Sequence, residues 1–334
     1  MIDLYIELLS LCNLKCIHCY NDSNNTNFDK LDLNLLLHNV KLVSEKYPIE
    51  NIILSGGEPL LYDELFQLTE LLGKYCKKIM IVTNGIKLTK EIYHELKKEN
   101  IYVSISMDGP DAKSNDKVRG IGTFDKVYSN LKSLQLHPKN DDMQIKTIVT
   151  KSNFLLLENF FYLCKSLHIK NLNFGFLDPT GRGNSIYNEF SLSTEERKKF
   201  IKELDLCSKR HPSINVTFPD VADICPILDL SNKQTIKIDA QGYIFPCPII
   251  VNKKYAIGNI YSTHLDELLY SNNHINISKI FNKRFMNNDC MKCILNPICK
   301  GGCPIFAEYF YGDIFNKDNQ CEFRKNRYFN TIYK

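Results

Sequence analysis

Leu4-Tyr5-Ile6-Glu7-Leu8-Leu9 runs directly into Cys12-Asn13-Leu14-Lys15-Cys16-Ile17-His18-Cys19-Tyr20. The first segment predicts a strand, and the second carries three thiols spaced Cys-x3-Cys-x2-Cys without a helical apolar stripe of its own. The pattern is therefore a strand that ends in a cysteine loop, and the strand half recurs. Asn51–Leu54, Lys78–Thr83, Ile101–Ser106, Gln144–Val149 and Asn171–Leu177 predict five more strands.

Amphipathic stretches alternate with these runs. Helices are predicted over Leu33–Tyr47, with Leu36, Val40 and Val43 on one face, over Tyr62–Tyr75, over Thr89–Glu99 and over Phe124–Leu134. A further helix is expected to start at an Asn153 cap. Six strand–helix units in about 175 residues predict a parallel sheet with helices packed outside. They are too few for a closed eight-stranded barrel, so the expectation is α/β, an open partial (βα)6 barrel of TIM type, with a doubly wound sheet as the alternative from pattern alone. We expect this unit to span residues 1–190 and a bridge with a charged helix near Ser193–Leu206 to span 191–224. A small cysteine-rich α+β domain, in which helical periodicity fades, is expected over 225–334.

Composition narrows the class. The 334 residues are 44% hydrophobic and 24% charged with a net charge of +4, which gives no reason to invoke nucleic acid or an anionic membrane as a partner. The start of the chain has no basic leader or cleavable apolar segment, and no apolar run reaches the length of a membrane span, so a cytoplasmic location is expected. In a reducing compartment thirteen cysteines point to metal ligation or catalysis rather than disulfides. Three lie within Cys12–Cys19 and seven between Cys225 and Cys321. Cys76, Cys164 and Cys207 stand apart, in segments predicted as helical, and read as ordinary thiols.

Two metal chemistries fit the first three thiols. A zinc site would need a fourth ligand, which His18 could supply. A four-iron cluster held by three thiolates would leave one iron open to a ligand that is not protein. With Tyr20 following, the Cys12, Cys16 and Cys19 pattern resembles the signature of radical S-adenosylmethionine enzymes. Other motifs of that family resemble stretches at strand ends. Gly56-Gly57-Glu58-Pro59 follows the second strand, Thr83-Asn84-Gly85 the third and Ser106-Met107-Asp108-Gly109 the fourth, with Asn115-Asp116-x2-Arg119 beyond it. Each taken singly is an ordinary turn signal. Together they sit where parallel α/β folds build active sites.

The resemblance implies that S-adenosylmethionine chelates the open iron. It also implies that Gly56, Gly57, Glu58 and Pro59 contact the methionine amino group, that Ser106 and Asp108 lie by the ribose, and that Arg119 pairs with the carboxylate. Tyr20, Thr83 and Asn84 complete the cofactor contacts. The later cysteines are spaced Cys225-x16-Gly242-x4-Cys247 and Cys290-x2-Cys293-x5-Cys299-x3-Cys303, then Cys321. Read bare, the middle four could be a zinc knuckle. The whole set resembles the SPASM extension of radical S-adenosylmethionine enzymes, which implies two auxiliary four-iron clusters. One would be held by Cys290, Cys293, Cys299 and Cys321, the other by Cys225, Cys247 and Cys303. Some relatives carry one more cysteine where this chain has Ser231, so the latter cluster is expected to have three protein thiolates.

The functions implied are radical modification of a peptide or protein or, alternatively, a small-molecule dehydrogenation or cofactor-maturation step. A reductant of flavodoxin or ferredoxin type would supply the electron. Because Leu4 enters the first strand at once, recognition is expected to need a separate leader-peptide-binding protein or direct contacts to the core peptide. Anaerobic sulfatase maturases are also similar, but they place an Asp where this chain has Pro248, which argues against that activity. A metal-binding scaffold without catalysis is the reading from outside enzymology.

Overall fold

The computed structural model describes residues 1–24, 28–97, 101–134, 142–218, 225, 227, 233–283 and 288–332. Ser231 lies outside them. All six predicted strands form, as β1 (Ile2–Glu7), β2 (Ile49–Ser55), β3 (Cys76–Thr83), β4 (Ile101–Ser106), β5 (Met143–Val149) and β6 (Asn171–Phe176). Each pairs in parallel with the next, as βαβ crossovers require.

The period of two sorts the side chains. Leu4, Ile6, Ile52, Leu54, Ile81, Val103, Ile105 and Ile145 are fully buried on one face, in register from strand to strand. The helices Leu33–Lys46, Leu65–Leu72, Thr123–Leu134 and Leu157–Ser166 join the same core through Val40, Leu68, Leu131 and Phe161. The opposite face carries Tyr5, Ser55, Val82, Ser106 and Lys146, and these line a cavity. The apolar face holds the sheet together, and the polar face is left for chemistry.

Three expectations change. The sheet does not stop at six strands: β7 (Asn215–Thr217) extends it beyond β6, and β8 (Gln234–Ile238) pairs in parallel with β1. Antiparallel β9 (Tyr243–Phe245) and β10 (Gly258–Asn259) then follow, giving the order β10-β9-β8-β1-β2-β3-β4-β5-β6-β7. Ile236 and Ile238 continue the rows of Leu4 and Ile6, so the cysteine-rich region shares the main core.

Beyond Cys225 helices form over Asn272–Asn282, Pro304–Tyr311 and Cys321–Ile332 among others, as the α+β expectation for this region requires. Asn153 does not cap a helix with its side chain, which instead donates to Asp108 O (2.9 Å) and Ile148 O (2.8 Å). Cys76 opens β3 rather than lying in a helix, while Cys164 and Cys207 are buried helical thiols.

Among the described residues, no helix is long and apolar enough to cross a membrane.

Candidate functional site

The cysteine loop leaves β1 and has no regular secondary structure through Asn24 apart from turns, so side chains must hold it. Asn24 does much of this: its Oδ1 accepts from Cys12 N (2.8 Å), and its Nδ2 donates to Cys12 O (2.7 Å) and Leu14 O (3.2 Å). Asn21 Nδ2 donates to Gly56 O (2.9 Å), and Ile17 N to Val118 O (3.0 Å). Cys16 and Cys19 both raise the pKa of Cys12, and Cys19 that of Cys16, so the three thiols lie close together. Burial is the largest cause for Cys12, which is pushed up to about 11, and it raises Cys16 as well. Thiols in such a place ionise when a metal arrives to stabilise the thiolate.

The turn after β2 meets the same loop backbone to backbone. Gly57 N donates to Leu9 O (2.6 Å) and Glu58 N to Leu11 O (2.9 Å). A Cβ on Gly57 would lie 1.9 Å from Leu11 O, so no other residue fits there without moving the loop. The Glu58 carboxylate turns away from the cavity. It accepts from Thr83 Oγ1 (2.6 Å), Asn84 N (2.8 Å) and Leu60 N (3.1 Å), and burial raises its pKa. Asn84 in turn donates to Asn13 Oδ1 (2.7 Å) in the loop. Pro59 is buried at the start of a short 3-10 turn, Pro59–Leu61.

Asp108, fully buried just past β4, accepts from Ile148 N (2.8 Å), and Oδ2 lies 2.7 Å from both Arg119 Nε and His18 Nε2. Burial would raise its pKa, but the Arg119 guanidinium and His18 hold it well below the ordinary carboxylate range. Asp108 is thus spent on orienting Arg119, and it does not line the cavity. Arg119 ends the helix Ala112–Arg119, capped at Asp111, and its Nη1 sits 4.0 Å from Cys16 Sγ. Its guanidinium borders the cavity beside the thiols, suited to a forked contact with a carboxylate.

These elements enclose about 270 Å³ lined by Cys12, Cys16, Cys19, Tyr20, Gly56, Gly57, Thr83, Asn84, Ser106 and Arg119. The sequence reading did not find Lys146 and Asp178, which also face this space. Burial lowers Lys146, and burial raises Asp178 to about 6 despite Lys146 and Arg197 nearby. The signal for Lys146 was the single charge in β5, on the same parity as Gln144 and Ile148; Asp178 had none beyond its place after β6. Arg182 lines the cavity too.

The later cysteines fall into two groups. Cys290, Cys293, Cys299 and Cys321 surround a small cavity of about 60 Å³. Cys225 and Cys303 both raise the pKa of half-buried Cys247, and Cys225 that of Cys303, so these three form a second group. Burial is the first cause in both, and it pushes Cys303 to about 12. Asp318, unnoticed in the sequence, ties the groups together by accepting from Cys303 N (2.8 Å) and from Arg324 Nη2 (3.0 Å). Pro248 and Ile249, directly after Cys247, line the large cavity with Cys12, Cys16 and Cys19. Among the described residues no disulfide forms. Ten buried or half-buried thiols gathered in three sets fit iron–sulfur ligation.

An α/β sheet bearing three thiols and a Gly-Gly-Glu-Pro turn on one rim defines the radical S-adenosylmethionine class, whose enzymes bind that cofactor and an iron–sulfur cluster. The chain belongs to it: residues 6–140 match the radical SAM superfamily, and residues 230–294 match the iron–sulfur cluster-binding SPASM domain. It is 25% identical over 313 residues to mycofactocin maturase MftC of Mycolicibacterium smegmatis, covering 92% of this chain and 78% of that one. It is 27% identical over 356 residues to a cysteine-type anaerobic sulfatase-maturating enzyme of Clostridium novyi, covering 95% and 92%. SuiB of Streptococcus suis, solved with S-adenosylmethionine bound, has the same fold at a TM-score of 0.79 and 18% identity, with 96% and 77% covered.

Proposed function

We propose that this enzyme modifies a peptide or protein by hydrogen abstraction and that it carries three [4Fe-4S] clusters. Cys12, Cys16 and Cys19 would hold the catalytic one, and Cys225, Cys247 and Cys303, and Cys290, Cys293, Cys299 and Cys321, the auxiliary pair. When bound and reduced, the catalytic cluster with S-adenosylmethionine supplies a 5′-deoxyadenosyl radical. The chain's residues bind and orient. Arg119, aimed by Asp108, takes the methionine carboxylate; the Gly56–Gly57 turn presents backbone to the amino group, and Ser106 faces the ribose. On this reading residues 1–190 are the catalytic unit, 191–224 the bridge and 225–334 the auxiliary unit.

The observation that carries the proposal is the shared wall. Pro248 and Ile249 place the Cys247 group against the catalytic cavity, where a substrate losing hydrogen would lie beside an electron acceptor. Support for a peptide comes from relatives: MftC and the sulfatase-maturating enzyme are maturases by name, and SuiB has been solved bound to the precursor peptide SuiA. Pro248 occupies the place of the maturase Asp, so sulfatase is not the target we assign. A flavodoxin- or ferredoxin-type reductant and a separate leader-binding protein complete the scheme.

The test is to incubate the reconstituted enzyme with S-adenosylmethionine, reductant and the short peptides encoded beside its gene. We expect 5′-deoxyadenosine and a mass change in one peptide. Cleavage of S-adenosylmethionine with every peptide unchanged overturns the peptide assignment. Zinc without sulfide in the purified protein overturns the enzyme reading altogether.

A further inference from the structure

The turn Pro179-Thr180-Gly181-Arg182-Gly183 follows β6, across the sheet from β1. Yet it is pressed against the cysteine loop. Arg182 N donates to Cys19 O (2.8 Å). The Arg182 side chain donates from Nε to Cys16 O (2.9 Å) and from Nη1 to Ser23 O (2.8 Å) and Asp22 Oδ1 (2.9 Å). Gly181, at a φ of +54°, packs so closely that a Cβ would stand 2.4 Å from Cys19 O and 2.3 Å from Tyr20 O. One guanidinium therefore reaches acceptors on three residues of a loop that has no regular structure.

The fork geometry explains why this residue is Arg: a single lysine ammonium is a point donor and cannot span acceptors set this far apart along the loop. The connection runs further. The turn leads into the helix Gly183–Phe190, where Asn184 O accepts from Tyr309 Oη (3.0 Å) and the Tyr187 ring lies 5.2 Å from that of Phe310. Tyr309 and Phe310 belong to the helix Pro304–Tyr311, whose N-cap is Cys303.

We propose that Arg182 is a positioning residue that holds the Cys16–Ser23 segment in its cluster-binding shape, and that its turn braces this loop against the helix begun by Cys303. The inference rests on the assignment of Cys12, Cys16 and Cys19 as cluster ligands. Its test uses the full chain, reconstituted anaerobically with iron and sulfide. Arg182→Ala and Arg182→Lys are compared with the native chain by EPR of the dithionite-reduced protein with and without S-adenosylmethionine, and by 5′-deoxyadenosine formed without substrate.

We expect Arg182→Ala to lose the S-adenosylmethionine-dependent EPR change and to form 5′-deoxyadenosine roughly tenfold more slowly, a net loss of about 1.4 kcal/mol. Arg182→Lys should lie between the two. In a background with Cys12, Cys16 and Cys19 changed to Ala, Arg182→Ala should leave the remaining iron unaltered; loss of that iron would show a general folding defect and overturn the positioning role. An Arg182→Ala protein whose EPR change and rate stay within about twofold of native also overturns it, leaving the cysteine assignment intact. A native chain that takes up no iron overturns both.

Discussion

Two thiol-lined cavities in this protein differ in ways that bear on what each can do. The one beneath the strand ends has three thiols and about 270 Å³, bordered by Arg119, Ser106 and a glycine turn. The one among the C-terminal helices has four thiols and about 60 Å³. A four-iron cluster has four irons to ligate, so four thiolates close it and three leave a coordination position. The large cavity combines the missing ligand with room for a guest, and the small one has neither. The Cys225, Cys247 and Cys303 group is intermediate, with three thiols placed behind the wall of the large cavity.

The contrast can be broken by substitution. Changing Cys12, Cys16 and Cys19 together to Ala should reduce 5′-deoxyadenosine to the no-enzyme level and lower iron from about twelve to about eight per chain. Product at the native rate would place the reaction elsewhere. Changing Cys290, Cys293, Cys299 and Cys321 should also remove about four irons but leave cleavage of S-adenosylmethionine within roughly tenfold of native. Complete loss of cleavage would erase the distinction between an open and a closed site.

Two smaller effects concern the charges that shape the large cavity. Asp108→Asn leaves the Arg119 guanidinium buried without its ion partner and should cost about 3 kcal/mol in denaturant unfolding of the apo protein. The Asp108 pKa is depressed, so its contribution is complete above the ordinary carboxylate value of about 4 and is lost as pH falls toward the lower folded value. The gap between native and variant should be flat from neutrality to about pH 5 and shrink in stronger acid. A gap unchanged at pH 2 would mean the ion pair is not its source.

Asp178 has the opposite sign. Its pKa is raised to about 6, so its neutral form's contribution is whole below about pH 4 and is lost as pH rises through 6. Asp178→Asn should therefore stabilise the apo protein by about 3 kcal/mol at pH 7 and by almost nothing at pH 4. Destabilisation at pH 7 would show that the charged carboxylate has a compensating partner.

The sequence was informative wherever a local rule decides the outcome. β-Branched runs of period two marked β1 to β6, and short cysteine spacings marked the loop and its two C-terminal counterparts. It was silent where distant segments meet. The pairing of β8 with β1 joins residues separated by more than two hundred positions, and no periodicity encodes a partner. The engagement of Asp108 by Arg119 and His18 depends on three elements converging; from the motif alone Asp108 reads as a ribose contact. Of the C-terminal helices, Asn288–Met291 and Asn296–Cys299 are only four residues long, too short for a 3.6-residue period to show.

The placement of β8 has a consequence for biosynthesis. β1 leaves the ribosome before the other strands of this sheet, and it carries the cysteine loop at its end. One of its edges is filled by β2 soon afterwards, but the other waits for residues 234–238. Until then a row of backbone donors and acceptors beside the nascent cysteines stays open, in a pairing of high sequence separation that is slow to form. Completion of β1's pairing, and of the platform under the cysteine loop, is therefore timed by the synthesis of residues 234–238.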